Sequence, residues 1–372
     1  MVKSVLLLFL TCLLVLFKYR EVFRYHFDPV YWENYYYESQ WNVPNSKREI
    51  TDQGVYRYIG YRLVNGENPF NVDYWVPPFG KYFYGLSAKY LNNPYLTSVL
   101  IYVLSCLVFY LLSKEILSPD LVILSTAIYQ LNPLLSVQIG TTALDLPVSF
   151  VFLLYLYFFV KYLKNDRKFY FLAISSVFLG LAAGTKPPFY PIVTLFFSSV
   201  FLFFHKKIKL IPVVFLFTIF GYFFAYFCYF AKHPNPIPWL RLHQKVVDFQ
   251  KTQGGVGYPL NTLQSIFIHS NQHYGGLSYQ FSEWYLLFPL FFLSLFKIFV
   301  QKTTLVEKYL ILFTFVYLGF SPLLDFWPRY FVPVLAPLIL IFVSTLKNKY
   351  LLSLCILYSL ILLLKTPLLP LQ

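Results

Sequence analysis

The sequence predicts an all-α polytopic membrane protein of about eleven transmembrane helices, with two long outer loops that carry short amphipathic helices. Three observations lead there. Hydrophobic residues fill 58% of the 372 positions and charged residues 12%, whereas a soluble domain carries roughly a quarter of charged residues. Apolar runs of about membrane length recur from end to end. The basic residues of the short connections crowd into every second one.

The first run, Val2–Phe17, has Lys3 near its start and Lys18 and Arg20 behind it. No small-x-small cleavage pattern follows, so an uncleaved span is expected rather than a signal peptide. Further runs occupy Leu96–Leu112, Leu121–Ile139, Leu146–Val160, Phe169–Gly184, Phe189–Phe204, Leu210–Ala231, Tyr285–Val300, Tyr309–Leu324, Tyr330–Thr345 and Tyr350–Leu364. Pro133, Pro147, Pro212, Pro333 and Pro337 fall in or at the ends of these runs, and kinked helices are expected there. The whole chain, 1–372, reads as one membrane domain with a first outer loop over 18–95 and a second over 232–284.

Orientation follows from the bases. Lys114, the Lys161–Lys168 cluster, Lys206 to Lys209, Lys297 to Lys308, and Lys347 with Lys349 lie in one set of connections; the alternating set carries isolated charges. The positive-inside rule puts the first set and the N-terminus in the cytoplasm, and the two long loops outside the cell membrane. The formal charge of +14 is spread between apolar runs without a contiguous basic face, so no nucleic-acid partner is implied. Cys12, Cys106, Cys228 and Cys355 lie inside apolar runs without metal-ligand spacing. No P-loop, dinucleotide fingerprint, GxSxG or HExxH is present, which removes support for ATP-driven transport, nucleotide-sugar use in a soluble domain and zinc proteolysis.

The outer side is where chemistry is expected. Ile50–Gly85 is polar and Gly/Pro-punctuated, and the first outer loop holds Asp28, Asp52 and Asp73. The short outer turns add single charges: Asp145 in ALDLP, Lys186 in GTKPP, and Asp325 with Arg329 in LLDFWPRYFVP. Charges at membrane depth are costly and usually face a cavity or a partner. Bases can neutralise a lipid phosphate while a carboxylate takes a proton from an acceptor hydroxyl. Thr51 or Asp52 can also serve as the N-cap of a helix over Gly54–Val64, and both roles are compatible. Asp28 is the second choice of catalytic acid, beside an aromatic stretch from Asp28 to Trp41 that reads as an amphipathic interfacial helix. The second outer loop holds His233, His243, His269 and His273 and a glycine hinge at Gly254. It is expected to act as a lid or acceptor-binding segment rather than a metal site.

The segment TDQGVYRYIGYRLVNGENPFNVDYWVPPFGKY resembles the first outer loop of the polytopic GT-C glycosyltransferases, in particular the dolichyl-phosphate-mannose protein mannosyltransferase-like members. These have an Asp-Glu pair ahead of a helix, then an acid and Pro-Pro-x-Gly-Lys. Asp52 falls on the catalytic Asp, Gln53 stands in place of the Glu, Asp73 lies near the later acid, and Pro77, Pro78, Gly80 and Lys81 match the rest. Val76 stands where a His often precedes the prolines. The resemblance implies inverting transfer of a sugar from a polyprenyl-phosphate donor to a protein, lipid or glycan acceptor, with Asp52 as general base. It implies that Lys186 and Arg329 hold the leaving phosphate, that Asp145 positions the acceptor or shares a Mg or Mn ion with Asp52, and that Asp73, Lys81, Tyr330 and Gln53 contact substrate. With no further domain after Gln372, acceptor recognition is expected to rest on the two outer loops. A lipid-linked glycan transporter or flippase, or an envelope polysaccharide polymerase or ligase, are the alternative classes; the first should show charges in broken helices near the midplane, the second a large late loop rich in Arg and His.

Overall fold

The computed structural model describes residues 2–164, 168–187, 189–252, 264, 266–267, 270–272, 278–280, 287–321, 327–368 and 371. The chain forms α1 (Val2–Lys18), α2 (Pro29–Tyr37), α3 (Asp52–Val64), α4 (Pro69–Val72), α5 (Phe79–Leu91), α6 (Tyr95–Lys114), α7 (Pro119–Gln130), α8 (Pro133–Ser136), α9 (Asp145–Lys164), α10 (Phe169–Ala183), α11 (Phe189–Phe204), α12 (Ile211–Ala225), α13 (Phe227–Phe230) and α14 (Pro236–Thr252). Later helices occupy Leu287–Ser294, Lys297–Val300, Leu305–Phe320, Val332–Leu346 and Lys349–Lys365. A short antiparallel ribbon also pairs Ser270 with Gln280 and Gln272 with Ser278.

Among the described residues four helices are long and apolar enough to cross a bilayer, Tyr95–Lys114, Asp145–Lys164, Ile208–Ala225 and Pro328–Leu346, and a bent pair makes up to five. Helices α1, α10 and α11 are apolar but shorter. The bend, 52° between Pro119–Gln130 and Pro133–Gly140, falls at an expected proline, because Pro133 supplies no N–H and the Asn132 side chain caps the second helix instead. Pro212 and Pro333 stand in first turns, where a missing N–H leaves no bond unmade; Pro147 likewise lies near the start of α9. The expected Leu210–Ala231 and Tyr285–Val300 spans are each interrupted, at Tyr226 and at Leu295–Phe296.

Helix α9 is the buried axis of the bundle. It packs against α6, α10 and Val332–Leu346, and that last helix is buried along nearly its whole length. Between α10 and α12 the backbones nearly touch: a Cβ on Gly180 would meet the Thr218 carbonyl at 2.0 Å, and one on Gly184 would meet Ala225 Cβ at 2.1 Å. This is the small-residue packing that membrane helices use for close approach. The first outer loop has a core of its own, built from Phe27, Trp32, Ile50, Tyr58, Ile59, Leu63 and Tyr84 among others. Inside it Arg57 is fully buried, donating to Tyr25 Oη at 3.1 Å with its guanidinium 4.4 Å from the Trp32 ring. In the second outer loop α14 docks through Trp239 and His243, which lie against Tyr222 of α12 and Tyr226 just past its end.

Candidate active site

Local sequence decides where Asp52 points. Thr51 has extended backbone and its side chain accepts from the Gly54 N–H, so Thr51 takes the cap and α3 begins at Asp52. The Asp52 carboxylate is thereby spared the capping role in the first turn, next to unpaired N–H groups whose dipole favours a negative charge. Helix α3 is held against α5 by two glycines: a Cβ on Gly85 would lie 2.0 Å from the Gly60 carbonyl oxygen. The N-terminus of α5 in turn wedges between the two outer turns. Phe79 N–H donates to Gly184 O at 2.9 Å, and a Cβ on Gly80 would meet Thr185 Cγ2 at 2.8 Å and Leu144 Cδ2 at 2.9 Å. The glycine of the PPFGK run is therefore a packing requirement, bringing the first outer loop onto both ALDLP and GTKPP.

The wedge assembles a charged cluster. Lys186 Nζ lies 2.5 Å from Asp145 Oδ1, Arg329 Nε lies 3.3 Å from Asp145 Oδ2, and Arg329 Nη2 lies 3.4 Å from Asp52 Oδ2. Arg329 thus bridges two carboxylates from different segments. Asp145 is the inner one, with its side chain 4% exposed, while the Asp52 side chain is 41% exposed. Lys186 Nζ sits 4.1 Å from the centre of the Tyr330 ring, a cation–π contact. Tyr317 fixes that turn by donating to the Tyr330 carbonyl at 2.9 Å, and stacks on Tyr190 with ring centres 3.9 Å apart. Burial pulls the Lys186 ammonium below its ordinary range, and Arg329 adds to this while Asp145 opposes it.

The other expected residues lie elsewhere. Asp73 and Lys81 form a second, separate pair at 2.5 Å, with side chains 2% and 1% exposed, and Lys81 also donates to the Val76 carbonyl at 2.7 Å. Both are shut off from solvent in this conformation. Burial pushes the Asp73 carboxyl up and the Lys81 ammonium down. Gln53 contributes its backbone carbonyl, which accepts from Thr142 Oγ1 at 2.7 Å and from Arg57 Nε at 3.3 Å. Asp28 is exposed and caps α2, its Oδ1 accepting from the Val30 and Tyr31 N–H groups. Asp325, His269, His273 and Gly254 lie outside the described residues. His243 is bonded by Tyr222 Oη at 2.8 Å and His233 lies against the Tyr229 ring. Among the described residues no group of three or more His, Cys, Asp or Glu side chains could hold a metal ion.

Sequence reasoning missed Tyr56. It lies one turn after Asp52 and its ring centre is 5.8 Å from Lys81 Nζ, so it stands between the two charged groups. Burial, then the Asp52 and Asp73 charges, hold its phenol protonated far above the ordinary range. The i, i+4 spacing from Asp52 was the available signal.

Comparisons with known proteins agree with this architecture. Residues 76–229 match the family model described as dolichyl-phosphate-mannose-protein mannosyltransferase. No curated protein matches the sequence. Two solved structures share the fold: ArnT from Cupriavidus metallidurans bound to undecaprenyl phosphate, with a TM-score of 0.58, and the same protein in the apo state, with 0.57. Each is 14% identical and covers 80% of this chain, which spans 56% and 55% of their respective lengths. The chain thus shares the fold of these two structures, as its resemblance to the GT-C class led one to expect. Within that class the sequence resemblance is to the dolichyl-phosphate-mannose-protein mannosyltransferases.

Proposed function

We propose that this chain transfers a sugar from a polyprenyl-phosphate donor to an acceptor hydroxyl, with inversion, at the outer face of the cell membrane. The observation that carries the reading is one half-exposed carboxylate, Asp52, placed beside two cations that a buried carboxylate, Asp145, holds in position. That arrangement separates the two jobs of the reaction. Asp52 takes the acceptor proton as the hydroxyl oxygen bonds to the anomeric carbon. The bond from that carbon to the phosphate oxygen breaks, and Lys186 and Arg329 receive the charge that grows on the leaving phosphate. Asp145 touches both cations and acts as their positioning residue. Arg329 already spans Asp52 and Asp145, where a Mg or Mn ion would otherwise be shared, so the charge-neutralising role is given to Arg329. The undecaprenyl phosphate bound by the ArnT structure supports a polyprenyl-phosphate donor here. The outer loops supply the acceptor surface.

The test is transfer of labelled sugar from a panel of polyprenyl-phosphate monosaccharides in membranes that contain the wild-type chain or Asp52→Asn. One donor should be consumed by the wild type, with the label passing to an endogenous acceptor, and the variant should bind that donor without transferring it. Undiminished turnover in the variant removes Asp52 as the base.

A further inference from the structure

The charged groups of the candidate active site occupy one end of the bundle. At the other end lies a cavity of about 770 Å³ that the reaction does not use. Helix α9 measures the separation: Asp145 begins it and Lys164 ends it, 20 residues or about 28 Å at the helical rise, close to the ~30 Å of a hydrocarbon core. The cavity therefore opens at the opposite membrane surface, between the ends of α6, α9 and Val332–Leu346 and the starts of α7 and Leu305–Phe320.

Its lining includes Glu115, Lys164, Lys297, Lys302, Glu307 and Lys347, four cations against two acids. Both acids are already committed. Glu115 is held by Lys161 at 3.0 Å and Lys164 at 3.6 Å. Glu307 is held by Lys297 at 2.6 Å and by the Thr304 hydroxyl and N–H in a capping box. Lys297 itself is a buried cation, with its side chain 4% exposed, and also donates to Ser344 Oγ at 3.0 Å. Lys302 and Lys347 are exposed and have no acidic partner among the described residues. The wall thus carries two positive charges with no acidic partner among the described residues, around a polar floor fixed by a buried ion pair.

We infer that this cavity is a second binding site, for a phosphate ester. Ammonium groups at the mouth act as point charges suited to phosphate, and the volume lies in the range of small-molecule sites rather than of a bare ion. Basic pockets between membrane helices at the bilayer surface take anionic headgroups. A phospholipid headgroup and a water-soluble phosphate ester present the same chemistry, and the test separates them.

The full-length chain is placed in nanodiscs of phosphatidylglycerol and phosphatidylcholine, and retained lipid is counted by native mass spectrometry. Lys302→Gln/Lys347→Gln is compared with the wild type and with Lys206→Gln/Lys209→Gln, which removes two exposed charges at the same end of the bundle but outside the cavity lining. All four side chains are exposed, and matching thermal midpoints in phosphatidylcholine discs establish that each variant is folded. If the ligand is a lipid, the pocket variant retains about tenfold less phosphatidylglycerol, the control retains it, and glycerol 3-phosphate displaces it from the wild type. If the ligand is water-soluble, lipid retention is equal in all three, while equilibrium dialysis shows glycerol 3-phosphate bound by the wild type and the control and not by the pocket variant. Equal retention with no glycerol 3-phosphate binding, or an equal loss of both ligands in the control, overturns the site.

Discussion

Lys81→Met isolates the buried pair that underlies the first outer loop. Lys81 Nζ lies 2.5 Å from Asp73 Oδ2 and both side chains are at most 2% exposed. Methionine fills the aliphatic stem with little loss of packing, so the variant mainly strands a buried carboxylate. Breaking such a pair from one side costs about 3–5 kcal/mol. At roughly 2 °C per kcal/mol for a chain at the large end of the usual range, the thermal midpoint should fall by about 6–10 °C near pH 7. The deficit depends on pH in a direction that the structure fixes. Burial already raises the Asp73 carboxyl above its ordinary value of 3.8, against the pull of Lys81; without Lys81 it rises further. A carboxyl whose folded pKa is raised contributes stability that is fully present below the unfolded value and lost as pH rises through the folded one. The gap between Lys81→Met and wild type should therefore be smallest near pH 4 and widen toward neutrality. In Asp73→Leu/Lys81→Met no charge is stranded, and stability should return to within about 1 kcal/mol of wild type or exceed it. Thermal unfolding in detergent, followed by intrinsic fluorescence across that pH range, reads all three proteins. A single variant as stable as wild type at pH 7, or a double variant less stable than the single, would refute the pairing as the reason for both residues.

Two further predictions concern the cluster and the contact that delivers Asp52 to it. Gly85→Ala places a Cβ 2.0 Å from the Gly60 carbonyl, so α3 and α5 must part; a loss of about 1–3 kcal/mol is expected, with transfer falling by more than unfolding explains, and equal losses in thermal midpoint and initial rate would show that the crossing does not set the Asp52 position. Arg329→Lys keeps the charge and loses the planar fork that reaches Asp145 and Asp52 together, so turnover should fall by roughly tenfold or more, as measured by initial rates at saturating donor; an unchanged rate would make Arg329 a simple counter-ion.

Much of this was legible in the sequence, for identifiable reasons. Asp145, Lys186 and Arg329 stand at the ends of apolar runs and Asp52 in the first long loop, so run boundaries and base counts alone place them on one side, and the structure brings all four together. What was hidden depends on long-range geometry. The Asp73–Lys81 pair closes across the Val76–Pro78 turn, whose direction no periodicity gives. Asp28 and Asp52 look alike as acids near a helix start, yet Asp28 spends its Oδ1 on a cap while Thr51 relieves Asp52 of that duty. Lys297 and Glu307 belong to different helices ten residues apart, and only their burial against Ser344 joins them. The Gly180–Gly184 spacing did carry a readable packing signal, the small-xxx-small pattern of close helix contacts; the run was read only for its apolar length.

The strengths of the contacts in the charged cluster bear directly on how such a site could work. Two acids meet two cations there, so the resting site is balanced, and an incoming phosphate must take over contacts that a carboxylate now holds. Asp145 is the harder one to displace, since it is buried and touches both cations, at 2.5 and 3.3 Å. The Asp52–Arg329 contact is longer, at 3.4 Å, and its carboxylate is the more exposed one, where screening by water leaves an ion pair little net value. On the proposed reading a donor phosphate therefore draws Arg329 from Asp52 and leaves Asp145 in place. The displaced carboxylate is the one needed as the base, so donor binding would itself free Asp52 to accept the acceptor proton. An amide at position 52 still allows that exchange while removing the proton acceptor, which is why Asp52→Asn is expected to bind donor and fail only in transfer.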